Sequence, residues 1–115
     1  MTPRIDQLIS LLENSPNDSF VLFALAKEYQ NIHETEKAKQ YYEALLTTDE
    51  NYVGAYYHLG GLLADEGLED QALEIYSKGI NIANAIKDQH ALAELKSAKL
   101  NLTNTMRNVK ILIKP

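Results

Sequence analysis

Three histidines, His33, His58 and His90, and a knot of carboxylates at Asp65, Glu66, Glu69 and Asp70 are the side chains here whose chemistry could reach beyond packing. Ligands of a metal site usually betray themselves as His or Cys about two to five residues apart. No histidine has such a neighbour, so no metal site is expected; His33 is read as a turn residue and His58 as a partly exposed helix position. The four acids could serve as general acid and base only in a cleft that drew their pKa values apart. They flank a short link between two helical patterns, which points instead to a solvated turn where Glu69 and Asp70 favour the next helix N-terminus. A docking patch for a basic partner is the alternative. Gly60-Gly61 lies inside a helical pattern and lacks the Lys-Ser/Thr that a phosphate loop requires. No Ser, His and Asp arrangement suggests a triad. The expectation is a chain with no catalytic residue and no cofactor, not an enzyme.

Composition agrees. At 115 residues the chain fits one domain, residues 1–115, with 45% apolar and 23% charged residues, close to ordinary globular usage. Cysteine is absent, which removes disulfides, thiolate metal sites and Cys nucleophiles together. The net charge of −5 repels phosphate backbones, so nucleic acid is not an expected partner. MTPRIDQL is neither a basic flank nor a long apolar run, and no apolar run reaches the length of a membrane span. A cytoplasmic protein without a membrane partner is expected.

The elements that must position any site emerge when the chain is slid against itself. At a shift of 34 residues Leu25 falls on Leu59, Ala26 on Gly60, Ala38 on Ala72 and Tyr42 on Tyr76. Leu11 and Leu12 fall on Leu45 and Leu46. Within each copy Val21, Leu22, Leu25, Ala26 and Tyr29, or Ala38, Tyr41, Tyr42, Leu45 and Leu46, recur at three- and four-residue intervals, the mark of one buried helical face. The spacing predicts helices over 3–14, 18–31, 34–47, 52–65, 68–86 and 89–109. Thr2 before Pro3 reads as a cap and first-turn proline, Asn17 or Asp18 as the next cap, and Gly67 as a left-handed helix end.

A 34-residue period with these residues resembles the tetratricopeptide repeat, whose pattern is W-x2-L-G-x2-Y, then A-x3-F, then P. The first copy, 19–52, reads Leu22-x2-Leu25-Ala26-x2-Tyr29 and Ala38-x3-Tyr42, with Glu50 at the proline place. The second, 53–86, reads Tyr56-x2-Leu59-Gly60-x2-Leu63 and Ala72-x3-Tyr76, with Asn84 there. A half-repeat, 3–16, precedes them, with Leu8 at the aromatic place and Pro16 at the proline place. The resemblance implies an all-α fold, a right-handed superhelix of antiparallel helix pairs with about six helices.

The last helix departs from the period. Leu92 and Leu95 lie 36 residues after Tyr56 and Leu59, so the preceding helix should run longer before a turn at Lys87-Asp88. Residues 88–109 are read as a capping helix and 110–115 as a tail, with the alternation in VKILI also compatible with a short strand. The distal half of that helix could also pair with a second copy, giving a homodimer.

Two tyrosine pairs, Tyr41-Tyr42 and Tyr56-Tyr57, locate a candidate partner site. Tyr42 and Tyr56 take packing places, and a helix turns about 100° per residue, so Tyr57 leaves the core face. Phe23 is its equivalent one period earlier, and helical spacing adds Phe20, Lys27, Gln30 and Asn31, then Gly61, Ala64 and Asp65. In the tetratricopeptide family the first helix of each repeat lines a concave groove. The resemblance therefore implies a protein or peptide partner held by Phe20, Phe23, Lys27, Gln30, Asn31, Tyr57 and Asp65. Packing of Phe20, Phe23 and Tyr57 against neighbouring helices is the alternative. The carboxylate clamp of one subclass is not expected, because Phe23, Tyr57 and Gly61 stand where its polar residues would be needed. The leading expectation is a protein-interaction scaffold or adaptor, with self-association through the C-terminal helix as the alternative.

Overall fold

A computed structural model describes residues 2–113, leaving the side chains of residues 110 and 113 aside. It contains six helices: α1 (Pro3–Asn14), α2 (Ser19–Asn31), α3 (Thr35–Thr48), α4 (Val53–Asp65), α5 (Glu69–Ala85) and α6 (Gln89–Ile113). Among the described residues there is no strand. The chain divides into two compact units, one ending at Ala55 and one starting at Tyr56.

In the first unit the start of each helix is fixed by a side chain or by the turn before it. Thr2 Oγ1 accepts from Ile5 N at 3.1 Å, with Pro3 in the first turn, and Asp18 Oδ1 accepts from Val21 N at 3.2 Å. These bonds satisfy amide donors that a helix start leaves open. Helix α2 packs against both α1 and α3. Its buried face is Val21, Leu22, Ala24, Leu25, Ala26 and Tyr29, met by Ile5 and Leu8 on α1 and Ala38, Tyr42 and Leu45 on α3. Arg4 stands where the period puts Ala38 and Ala72, and its guanidinium bonds Glu28 at 2.8 Å. Ser19 Oγ donates to Asp49 Oδ2 at 3.0 Å, tying the start of α2 to the residue that ends α3.

The 34-residue period recurs in the backbone. Ser15 N donates to Leu11 O and Asp18 N to Ser15 O, both at 3.1 Å. One period later Asp49 N donates to Leu45 O at 2.7 Å and Tyr52 N to Asp49 O at 3.1 Å. The half-repeat α1 therefore ends as α3 ends. Helix α2 closes differently: Glu34 N reaches Tyr29 O at 2.9 Å and His33 N reaches Gln30 O at 3.0 Å, with His33 left-handed at φ 61°. That pair of bonds is a Schellman closure. Helix α4 ends in the same way at Gly67 (φ 79°), and α5 at Lys87 (φ 61°).

In the second unit α4 and α5 approach closely through two glycines. A Cβ added to Gly60 would stand 2.6 Å from Tyr76 Cδ1, and one added to Gly79 would stand 2.6 Å from Tyr56 Cβ. Helix α6 packs on α5, with Ala91, Leu92 and Leu95 buried and Asp88 Oδ1 capping its start through Ala91 N at 3.0 Å.

Of the twelve helix bounds five agree with expectation, six differ by one residue and the end of α6 differs by four. The informative differences are at α5 and α6. Helix α5 is longer than α1 and α3, as the 36-residue offset requires, but stops at Ala85 rather than 86. Helix α6 runs through Ile113, not to 109, which replaces both the strand and the tail reading of residues 110–113; residues 114 and 115 lie outside the described residues. No Gly or Pro separates VKILI from Met106-Arg107-Asn108, and extending an existing helix costs less than starting a new element. Burial falls off along α6: Leu92 and Leu95 are buried, Leu102 and Met106 half-buried, and Val109 exposed.

Candidate functional site

On α2 Phe20, Phe23 and Lys27 follow at three- and four-residue steps, with Gln30 and Asn31 three and four residues further on, and they line a face beside the packed one. Phe20, in the first turn, is 68% exposed. Phe23 is half-buried: its ring meets Tyr42 edge-on at 6.2 Å and Tyr52 at 5.1 Å, and it lies over Gly54, where an added Cβ would be 3.9 Å from Cε1. Lys27 is half-buried and Asn31 exposed. Gln30 Oε1 accepts from the Tyr42 hydroxyl at 2.6 Å, so its amide is held by the protein's own core. Burial pushes the pKa of that hydroxyl well above the usual tyrosine value.

On α4 the ring of Tyr57 is 38% exposed and sits edge-on to His58 at 5.4 Å. Gly61 and Ala64 are half-buried and Asp65 is exposed. The hydroxyl of Tyr76 lies 3.8 Å from where a Gly61 Cβ would be. Burial raises the pKa of Tyr76 first, and Tyr57 and Asp65 raise it further.

The tyrosine pairs divide as the period demands. Tyr42 and Tyr56 are fully buried, whereas Tyr57 keeps an exposed edge. Tyr41 has a role that spacing did not reveal, stacking on Tyr29 at 5.6 Å with an interplanar angle of 6°, while the Lys37 ammonium lies 5.7 Å from the Tyr29 ring centre on the same helix pair. Tyr52 and Gly54 were also missed as the seat of Phe23, because they lie in and just after a link where helical spacing gives no register.

Asp65, Glu66, Glu69 and Asp70 are all exposed. His33 is exposed in its left-handed turn, His58 is half-buried, and His90 is exposed 3.8 Å from Glu94. Among the described residues no group of three His, Cys, Asp or Glu could hold a metal ion, and no helix is long and apolar enough to cross a membrane.

Residues 21–52 and 53–86 each match the tetratricopeptide repeat (TPR). The chain belongs to the TPR family. A TPR domain protein from Salinibacter ruber, solved in solution, is 39% identical, with 76% of this chain and 88% of that one covered at a TM-score of 0.72. The TPR2B domain of yeast Sti1 in its pHsp70 complex is 13% identical over 88% of this chain and 81% of that one, TM-score 0.81. PcrH in complex with the chaperone binding region of PopD is 17% identical over 89% and 77%, TM-score 0.82. The last two share the TPR fold alone. No curated protein matches the sequence.

Proposed function

We propose that this TPR chain is a non-catalytic protein-interaction module that holds a peptide or protein segment against the exposed, partly aromatic faces of α2 and α4. The observation that carries the reading is two aromatic rings left uncovered on those helices, Phe20 at 68% and Tyr57 at 38% exposure. Exposed rings flanked by polar side chains are the usual anchors of a protein interface. Phe23 forms the half-buried floor beside Phe20, with Lys27 and Asn31 as polar neighbours and Gln30 fixed behind them; Asp65 lies about two turns along α4 from Tyr57. The family likeness is the reason for treating the two helices as contributors to one partner. The complexes of Sti1 with pHsp70 and of PcrH with the chaperone binding region of PopD support this partner class, a stretch of another protein. A scaffold role inside the cell fits this reading.

Peptides selected on the wild-type chain provide the test. Phe20→Ala and Tyr57→Ala, each made alone, should weaken the selected peptide by about ten- to a hundredfold, the worth of one buried ring, with the melting temperature unchanged. Unchanged affinity in both variants would reject the site.

A second reading, association of two copies through α6, is favoured by Val109, Ile111 and Leu112, exposed at 50%, 62% and 83%. Sedimentation over a wide concentration range separates it: a rising mass that Leu112→Glu abolishes supports pairing, and a constant monomer mass rejects it.

A further inference from the structure

Charge is distributed unevenly along this chain. All sixteen acids precede residue 95, whereas Lys96, Lys99, Arg107, Lys110 and Lys114 follow with no acid among them. Three of those cations border an apolar seam between α5 and α6. A cavity of about 340 Å³ is lined by Ile80, Lys96, Lys99, Leu100 and Thr103. A second, of about 220 Å³, is lined by Leu73, Thr103, Met106 and Arg107. Thr103 belongs to both, so they form one open run along the two helices.

The repeat register says what normally covers such a seam. Leu92 and Leu95 take the buried places of Leu22 and Leu25, which sets Lys96, Lys99 and Leu100 on α6 against Ala26, Tyr29 and Gln30 on α2. On α2 those places are closed by α3: Ala26 is fully buried, Tyr29 is stacked on Tyr41, and Gln30 is bonded by Tyr42. On α4 the place of Ala26 is Gly60, filled against by Tyr76. On α6 the same places are open, with Leu100 60% exposed and the small residue replaced by an exposed lysine. The seam therefore has the geometry of a helix seat without the small residue that admits a tyrosine-bearing helix, and with cations along its length.

We propose that the α5–α6 seam is a docking surface for an amphipathic helix of another protein whose apolar stripe is flanked by acidic residues. Leucine-sized side chains at i, i+3 or i+4 and i+7 would fill the spaces beside Leu73, Ile80, Leu100 and Met106, as in helix-in-groove recognition. Carboxylates beside that stripe meet Lys96, Lys99 and Arg107, which sets the sign of the partner and its orientation. None of the rings proposed on α2 and α4 lines this surface, and it stands whether or not those bind a peptide.

The probe is a synthetic helical peptide with leucines at those spacings and glutamates on both flanks, compared with the same peptide carrying lysines instead. The glutamate peptide should shift the amide signals of Lys99, Leu100 and Thr103 and bind more weakly as salt rises. Lys96→Glu with Lys99→Glu should weaken it at least about tenfold and strengthen the lysine peptide, while Phe20→Ala and Tyr57→Ala leave both unchanged. Circular dichroism melts confirm that the charge variants fold. Equal binding of the two peptides overturns the proposal, as does a glutamate peptide that shifts α2 or α4 instead of the seam. So does occupation of the seam by a second copy, seen as concentration-dependent shifts of the same signals without peptide. Vesicles of anionic phospholipid that perturb the seam where the glutamate peptide fails would also overturn it.

Discussion

Adjacent glycines on α4 should respond to alanine with opposite signs. At Gly60 a methyl group meets the buried ring of Tyr76, so Gly60→Ala should cost about 1–3 kcal/mol by overpacking. At Gly61 the nearest atom is an ordinary 3.8 Å away, and removing a helical glycine should stabilise by about 0.5–1 kcal/mol. Denaturant midpoints of the two variants measure both. A second residue-level expectation concerns alkali. Burial holds the Tyr42 hydroxyl protonated in the folded chain beyond the pH, about 10, at which it ionises unfolded. Its contribution is complete below pH 10 and is lost above it, because only the unfolded state releases the proton, at about 1.4 kcal/mol per pH unit. Tyr52 and Tyr76 act in the same direction, Tyr52 through burial and then Asp49 and Asp18. Tyr42→Phe should lower stability at pH 7 by about 1 kcal/mol, through the lost bond to Gln30, yet flatten the fall above pH 10. The packing tyrosines were legible because the period pairs Tyr42 with Tyr76 and helical spacing puts Tyr56 on the core face. The stack of Tyr41 on Tyr29 was not, because it depends on how far two helices are rotated about their own axes.

Three helix ends share one closure, yet only one has the residue that suits it. Gly67 adopts positive φ freely, while His33 and Lys87 place a Cβ in a conformation costing about 1–2 kcal/mol. Glycine also adds unfolded-state entropy of about 0.4–1 kcal/mol, so His33→Gly and Lys87→Gly should each stabilise by roughly 0.5–1 kcal/mol at unchanged denaturant slope. A loss of stability in both would mean that their side chains contribute more than the strain removes. For α6 the expected behaviour is divided along its length. Removing residues 88–115 exposes the face that Leu92 and Leu95 cover and should unfold or aggregate the remainder, whereas removing residues 110–115 should leave the melting temperature nearly unchanged. A soluble, fully stable fragment 1–87 would show that α6 does not cap. The longer α5 was readable from the 36-residue offset of Leu92 and Leu95. The open seam beside α6 was not, since the spacing of Lys96 and Leu100 alone does not tell which face of α6 is left uncovered.

At the scale of the whole molecule, α4 belongs to both compact units, Val53–Ala55 to the first and Tyr56–Asp65 to the second. One continuous helix shared in this way should make the chain unfold in a single transition, with calorimetric and van't Hoff enthalpies equal. Two resolved transitions would make the units separate domains.

The cations at Arg4 and Lys96 restrict how such a protein can become longer. Each stands where internal repeats have alanine or glycine, so a unit added outside α1 or α6 would have to bury a charge. An in-frame duplication of residues 53–86 copies Tyr56, Gly60, Ala72, Tyr76 and Gly79 as one matched set. Lengthening in evolution or by design is therefore expected to proceed by insertion in the middle of the chain, and the same two charges discourage identical molecules from joining end to end into fibres.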